Sequence, residues 1–252
     1  MYLSAAGSIG RREINQDSLL ADRFLCQRGA PGAFQFQSPQ LPAGPLAMAL
    51  CDGACEQGDL ASATAVDLLY QELEQLHTAK RTEDLHPVVD TLNQRVCDLF
   101  GPERNWDGLA ISTLSLLCLG AGRYILCTIG DSPVYRLRGK ELSQLSQVQT
   151  LAALHNGQNQ PAALEAERHV LTNYLGRHQG GGSASAVWTE DVVLPGDLFL
   201  LCSDGILERL PEKKLRTALL RHGSEAAPEL VRLAFRSGST DNLTALVVRA
   251  DG

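Results

Sequence analysis

The residues best placed to do chemistry are five aspartates, each sitting where an apolar run meets turn residues. They are Asp17 before SLLA, Asp52 in LAMALCDG, Asp131 closing YILCTIGD, Asp204 in LFLLCSDG and Asp241 before NLTALVV. An apolar run of this length bounded by turn chemistry reads as a buried strand. A carboxylate at the mouth of such a strand lies where a rigid element meets solvent. Asp-Gly is also a favoured turn dipeptide, so any one of the five is explained by turn propensity alone. Asp107-Gly108 is such a case and is given no role. Five together carry more. Carboxylates facing one spot repel, and each resists ionisation unless a cation lies among them. A ligand set of oxygen alone, without His or Cys, suits magnesium or manganese over zinc. Two such ions about 4 Å apart hold a water and lower its pKa, which is chemistry for hydrolysing a phosphate ester.

An anionic substrate also needs a cationic clamp. Arg11 and Arg12 precede Asp17 on the turn leading into the same strand. A guanidinium can grip two phosphate oxygens at once, although a solvated surface arginine is the plainer alternative. Thr113 and Ser132 could hydrogen-bond near such a site, and strand and turn propensity explain them equally well.

Composition narrows the field. Acidic residues outnumber basic ones 29 to 22 and no basic run exists, which argues against nucleic acid or an anionic membrane as partner. The seven cysteines are scattered without a CxxC pair, so they read as core thiols of a reducing compartment rather than a zinc site. The six histidines show no HExxH spacing, and no GxSxG elbow marks a serine hydrolase. The N-terminus lacks the apolar core of a signal peptide, and no run approaches the roughly 18 apolar residues of a spanning helix. A soluble, cytoplasmic protein is expected.

The elements that must position these residues follow in order. Strands are expected at 2–8, 18–25 and 46–51, with a Pro-, Gly- and Gln-rich loop or long hairpin connection over 29–45. Helices are expected from Asp59 to about His77, with Leu60, Ala63, Thr64, Val66, Leu69, Leu73 and Leu76 on one side, and from Leu85 to Phe100. Gly101–Gly108 breaks the pattern. Strands at Ala110–Leu119, Arg123–Ile129 and Pro133–Arg138 are joined by short connections and should pair as hairpins. Residues 143–185, ending in Gly180–Gly182, read as a surface excursion with one short helix. Strands at Ala186–Val193 and Asp197–Cys202, helices at Pro211–Leu220 and Ala226–Arg236, and a strand at Leu243–Arg249 complete the chain. Strands come in groups with helix pairs between them, an α+β order, and no linker divides residues 1–252 into two domains.

The order of motifs resembles the metal-dependent protein phosphatases, the protein phosphatase 2C class, and in particular its short bacterial members. The matching pieces are Arg12-Glu-Ile-Asn15-Gln16-Asp17, Leu50-Cys-Asp52-Gly53, Ile129-Gly130-Asp131-Ser132, Pro195-Gly-Asp197 leading to Cys202-Ser203-Asp204-Gly205, and Ser239-Thr-Asp241-Asn242. The resemblance implies a four-layer αββα sandwich, two central antiparallel sheets flanked by helix pairs, with manganese or magnesium at one edge. It implies that Asp52 bridges two ions, that the Gly53 carbonyl ligates one, and that Asp204 and Asp241 complete the pair. Asp17 would act mainly through water, Asp131 would favour a third, weaker ion, and Arg12 would hold the substrate phosphate. The excursion at 143–185 falls where the family carries its flap. Gln16 replaces a common Glu, Leu109–Thr113 matches the usual strand only loosely, and Ala54 stands where the family has a histidine proposed to protonate the leaving group. That proton would come from a metal-bound water or another group.

The activity implied is hydrolysis of phosphoserine and phosphothreonine in proteins, opposite a serine/threonine kinase such as those paired with phosphatases in secretion-system control. A pseudophosphatase that binds phosphoproteins without turnover is the alternative, and a metal-dependent phosphodiesterase is a third class.

Overall fold

The run LAMALC is apolar at every position, so its strand must be covered on both faces. β5 (Leu46–Ala54) meets that demand by alternation. Met48 and Leu50 point into one core, and Ala47, Ala49 and Cys51 point into another. The computed structural model describes residues 1–28, 32–38, 41, 44–100, 109–155, 167–177 and 184–250. The break read at Gly101–Gly108 and the run Gly180–Gly182 lie outside the described residues, as do parts of the loops read at 29–45 and 143–185.

Two antiparallel sheets form the centre. The second sheet contains β5 together with β2 (Asp17–Ala21), β3 (Leu25–Arg28), β7 (Leu114–Gly120), β8 (Arg123–Ile129) and β11 (Val187–Val192), in the order β11-β8-β7-β5-β2-β3, with the short β6 (Ile111–Ser112) beside β5. The first sheet contains β1 (Tyr2–Ser8), β4 (Ala33–Ser38), β9 (Val134–Arg138), β10 (Glu141–Gln144), β12 (Leu198–Cys202) and β13 (Leu243–Arg249), in the order β10-β9-β12-β13-β1-β4. Between the sheets lies a core that includes Leu19, Met48, Leu117, Leu201 and Val248. Tyr124 from the second sheet meets Phe199 from the first edge to face, 5.4 Å between ring centroids.

Helices cover both outer faces. α1 (Gly58–Gln71), α2 (Leu73–Thr78) and α3 (His86–Cys97) cover the second sheet. After the one-turn helices α4 (Leu151–Leu154) and α5 (Asp204–Leu207), α6 (Glu212–His222) and α7 (Ala226–Arg236) cover the first sheet. The result is the expected four-layer αββα sandwich. The cysteines at 51, 118, 127 and 202 are buried free thiols, as read from their apolar neighbours.

The structure corrects several local expectations. The strand read at 18–25 is the hairpin β2–β3, turned at Asp22–Phe24 by a positive φ of 51° at Asp22. The stretch 29–45 contains β4, which pairs with β1 and packs Phe34 and Phe36 on the inter-sheet core. β7 and β8 pair as read, but β8 and β9 lie in different sheets, because the chain changes sheet at Gly130–Pro133. β9 pairs instead with β10, through the turn at Gly139–Lys140. The helix read from Asp59 to about His77 is broken at Glu72, and Leu60 is 44% exposed. Its buried stripe is Gly58, Ala61, Ser62, Ala65, Val66 and Leu69. Small side chains let α1 lie close on the sheet, and that proximity selects them over the larger leucine.

Phe199 is fully buried between the sheets. Phe199→Ala is expected to destabilise the fold by about 3–5 kcal/mol, measured as a shift of the urea unfolding midpoint.

Candidate active site

All five aspartates sit at one end of the sandwich because every strand that carries one either begins or ends there. β2 and β5 run antiparallel with Asp17 directly opposite Asp52. Asp131 follows β8 at the change of sheet, Asp204 follows β12 and opens the one-turn helix α5 (Asp204–Leu207), and Asp241 leads into β13.

The backbone between these points is tied down residue by residue. β5 continues through Asp52 and Gly53 to Ala54, and the Gly53 N–H donates to the Gln16 carbonyl at 3.0 Å. A Cβ on Gly53 would lie 2.0 Å from the Gly58 carbonyl oxygen, so only glycine lets α1 start this close to the strand. Gln16 Nε2 donates to the Cys55 carbonyl at 2.7 Å and holds the turn that follows. Asn242 Nδ2 donates to the carbonyls of Ile9 (2.9 Å) and Ile14 (3.0 Å), and its Oδ1 accepts from the Gln16 N–H at 2.8 Å. Asn242 thereby fastens the Arg11–Gln16 turn to β13. Glu208 accepts from the Ser239 hydroxyl and the Thr240 N–H, each at 2.8 Å, and fixes the loop in front of Asp241. Thr113 and Ser132 do bond near the site. The Thr113 hydroxyl accepts from the Asp52 N–H at 3.0 Å and pairs with Ser132 Oγ at 2.7 Å.

Asp52, Asp131, Asp204 and Asp241 line one cleft of about 280 Å³, together with Arg12 and His169. Asp17 is buried beneath it. Burial, then repulsion from Asp17, Asp204, Asp131 and Asp241, pushes Asp52 well above the usual carboxylate range. Burial pushes Asp17 up to about 7, against Ser203 Oγ, which donates to Asp17 Oδ2 at 2.8 Å, and burial followed by repulsion from Asp204 pushes Asp131 up to about 7. The Thr244 hydroxyl is near enough to favour charged Asp17 yet completes no bond of normal geometry, so buried Asp17 Oδ1 has no hydrogen-bond partner. Arg12 and His169 face this excess of acidic groups. Arg12 Nη2 donates to Asp241 Oδ2 at 2.7 Å, which holds the guanidinium more firmly charged. His169 Nδ1 lies 3.3 Å from Asp204 Oδ2, and that contact raises the imidazole pKa.

A crowd of acidic oxygens, one of them buried and unbonded, fits a hard divalent cation. Among the described residues no three His, Cys, Asp or Glu side chains close into a metal cage, and Arg12 and His169 hold Asp241 and Asp204. Ala54 and Cys55 line the same cleft, so position 54 brings no proton donor to it. Neither His169 nor Glu208 stood out in the sequence. His169 lies in a stretch whose composition reads as loop, and Glu208 resembles any surface glutamate.

The sequence profile of the family described as protein phosphatase 2C matches residues 23–245. The chain belongs to the protein phosphatase 2C family. Among curated relatives of this protein phosphatase 2C chain is the serine/threonine protein phosphatase PstP of Mycobacterium tuberculosis, 29% identical over 210 residues, or 81% of this chain and 40% of the relative. The chain thus spans 40% of the length of that relative. The crystal structure of the catalytic domain of PstP in complex with two manganese ions superposes with a TM-score of 0.78 at 25% identity, covering 100% of this chain and 99% of that one. PppA, a key regulatory component of the T6SS in Pseudomonas aeruginosa, superposes with a TM-score of 0.69 at 27% identity, covering 99% and 98%. The fold and the metal dependence of the family agree with the oxygen-lined cleft of this protein phosphatase 2C chain.

The raised carboxylates set a pH dependence. Unfolded carboxylates ionise near pH 4, at about 3.9 for Asp, whereas Asp17 and Asp131 in the folded chain ionise at about 7. Between these values the folded state keeps protons that the unfolded chain has released. The stability they contribute is complete below about pH 4 and is lost as pH rises through about 7. Chelator-treated protein is expected to melt lower at about pH 7.5 than at about pH 5.5, and Asp17→Asn to narrow the gap. A gap of the same size in that variant removes Asp17 as a cause.

Proposed function

We propose that this chain is a manganese- or magnesium-dependent phosphatase that hydrolyses phosphoserine and phosphothreonine monoesters in proteins. The observation that carries the reading is the convergence of Asp52, Asp131, Asp204 and Asp241 on one cleft, with Asp17 buried beneath them and a guanidinium at the rim. Membership of the family supports it. Asp52, Asp204 and Asp241 would hold two ions together with the Gly53 carbonyl, Asp17 would act through water, and Asp131 would serve a third, weaker ion. When bound, the metal neutralises the carboxylates and lowers the pKa of a water, so that hydroxide is available near neutral pH.

The residues of the chain do the rest. Arg12 is half-exposed and already points into the cleft through Asp241, so it can take two oxygens of a substrate phosphate without leaving its acidic neighbour. The Thr113–Ser132 pair keeps Asp52 and Asp131 at a fixed separation. The Glu208 clamp holds the approach to Asp241. His169 and Leu171, from the described part of the stretch read as a flap, form part of the cleft wall, which supports a flap role for that stretch. Phosphoproteins made by a serine/threonine kinase are the substrates, and the likeness to PppA favours a kinase within a secretion-system circuit. Among the described residues no helix is long and apolar enough to cross a membrane, which is compatible with a cytoplasmic site of action.

Hydrolysis of a phosphothreonine peptide with added manganese tests the reading. Asp204→Asn is expected to lower kcat by about 10²–10³-fold. Rates equal to wild type would end the metal role of Asp204, and a wild type inert toward the peptide would end the proposal. Arg12→Ala is expected to raise KM roughly tenfold with a smaller change in kcat, the pattern of lost substrate binding.

A further inference from the structure

Residues 169–175 run against the sandwich through a bend at 172–173, and Leu171, Asn173 and Leu175 turn toward it. Leu171 bridges Thr150 and Leu175 bridges Ser112, both antiparallel. Leu171 lines the cleft, Leu175 is fully buried, and Asn173 between them is 4% exposed. A buried amide must find partners, and Asn173 finds them on two other segments. Its Oδ1 accepts from the Ser185 N–H at 3.1 Å, and its Nδ2 donates to the Ser185 carbonyl at 2.7 Å and to Gln149 Oε1 at 3.0 Å.

Gln149 passes the connection on. Its Oε1 also accepts from the Gly130 N–H at 2.6 Å, its Nε2 donates to the Ser185 carbonyl at 3.1 Å, and its backbone N–H donates to the Gly130 carbonyl at 3.1 Å. Both polar backbone groups of Gly130 therefore go to Gln149. Gly130 has no freedom on its other side. Its φ is +96°, and a Cβ there would lie 2.7 Å from Thr113 Cγ2. Thr113 is itself bonded to Asp52 and Ser132. The turn that presents Asp131 is thus clamped between Thr113 and the Gln149–Asn173 amide pair.

We propose that Gln149 and Asn173 are positioning residues for Asp131, and that their paired amides make cation binding at Asp131 depend on the seating of the 169–175 segment. The inference rests on the reading of Asp131 as a metal ligand. Partners behind a ligand matter because they fix its direction, and losing one lowers metal affinity by about 10–100-fold. Neither amide touches the reacting atoms, so the effect is expected on the metal and not on peptide binding.

Manganese titration by calorimetry tests it, on the wild type, Asn173→Ala, Gln149→Leu, Asp131→Asn and the double variant of Asn173→Ala with Asp131→Asn. In the two amide variants, the binding step that Asp131→Asn abolishes should weaken by about tenfold. The half-saturating manganese concentration for peptide hydrolysis should rise alongside, while peptide KM holds and kcat recovers at high manganese. In the Asp131→Asn background, Asn173→Ala should add nothing. Isotherms that superpose on wild type overturn the inference, and so does a shift of equal size without the Asp131 carboxylate. Gln149 is only half-buried, so Gln149→Leu keeps the test alive if Asn173→Ala fails to fold. A wild type that takes up no manganese instead brings down the proposed function, and this inference with it.

Discussion

Carboxylates brought together inside a protein oppose folding, and this site is arranged around that opposition. Asp17, Asp52 and Asp131 are each pushed upward first by burial and then by acidic neighbours. A chain that only needed a stable sandwich would place apolar or uncharged groups at these strand ends. Retaining five negative groups there is intelligible if a divalent cation supplies the missing charge, and the all-oxygen donor set points to a hard one. The ion pair of Arg12 with Asp241 and the contact of His169 with Asp204 are smaller answers to the same imbalance.

The scaffold supplies rigidity where the charges meet. Each aspartate adjoins a strand whose interior is locked by cores on both faces, so its starting point is fixed before any side chain acts. The remaining freedom lies in the turns, and uncharged polar groups remove it. Asn242 anchors the Arg12 turn, Glu208 anchors the Asp241 loop, and Thr113 anchors the Asp131 turn to the Asp52 strand. Glycine appears where backbone must touch backbone, as at Gly53 against Gly58. Precision at the cleft thus comes from many ordinary bonds of about 1 kcal/mol each and not from a few strong ones.

What could be read from the sequence follows the same division. Strands buried on both faces, such as β5, β12 and β13, announce themselves as apolar runs, and the α+β order follows from their spacing. β4 carries no strand signal because AFQFQS only half-buries Phe34 and Phe36 among polar neighbours, in a stretch otherwise rich in proline and glycine. The stripe of α1 was misplaced because close packing selects Ala61 and Ala65, which hydropathy weights lightly, over Leu60. The aspartates could be nominated one by one from their strand-end positions. Their meeting could not, since convergence is a property of how strands pair. His169 and Gln149 stayed hidden because polar residues in a Gln- and Asn-rich stretch carry no local sign of what they touch.

Origin by sheet gives the site a second role. Asp17 and Asp52 lie on strands of one sheet and Asp204 and Asp241 adjoin strands of the other, with Asp131 at the change between them. Ser203 donates to Asp17 across this divide, and the Gln16 N–H donates to Asn242 Oδ1 beside it. An ion gripped by both groups would act as a rivet through the open end of the sandwich. Loading and unloading the catalyst would then also tighten and loosen the joint between its two halves, making mechanical cohesion at that end a by-product of the chemistry.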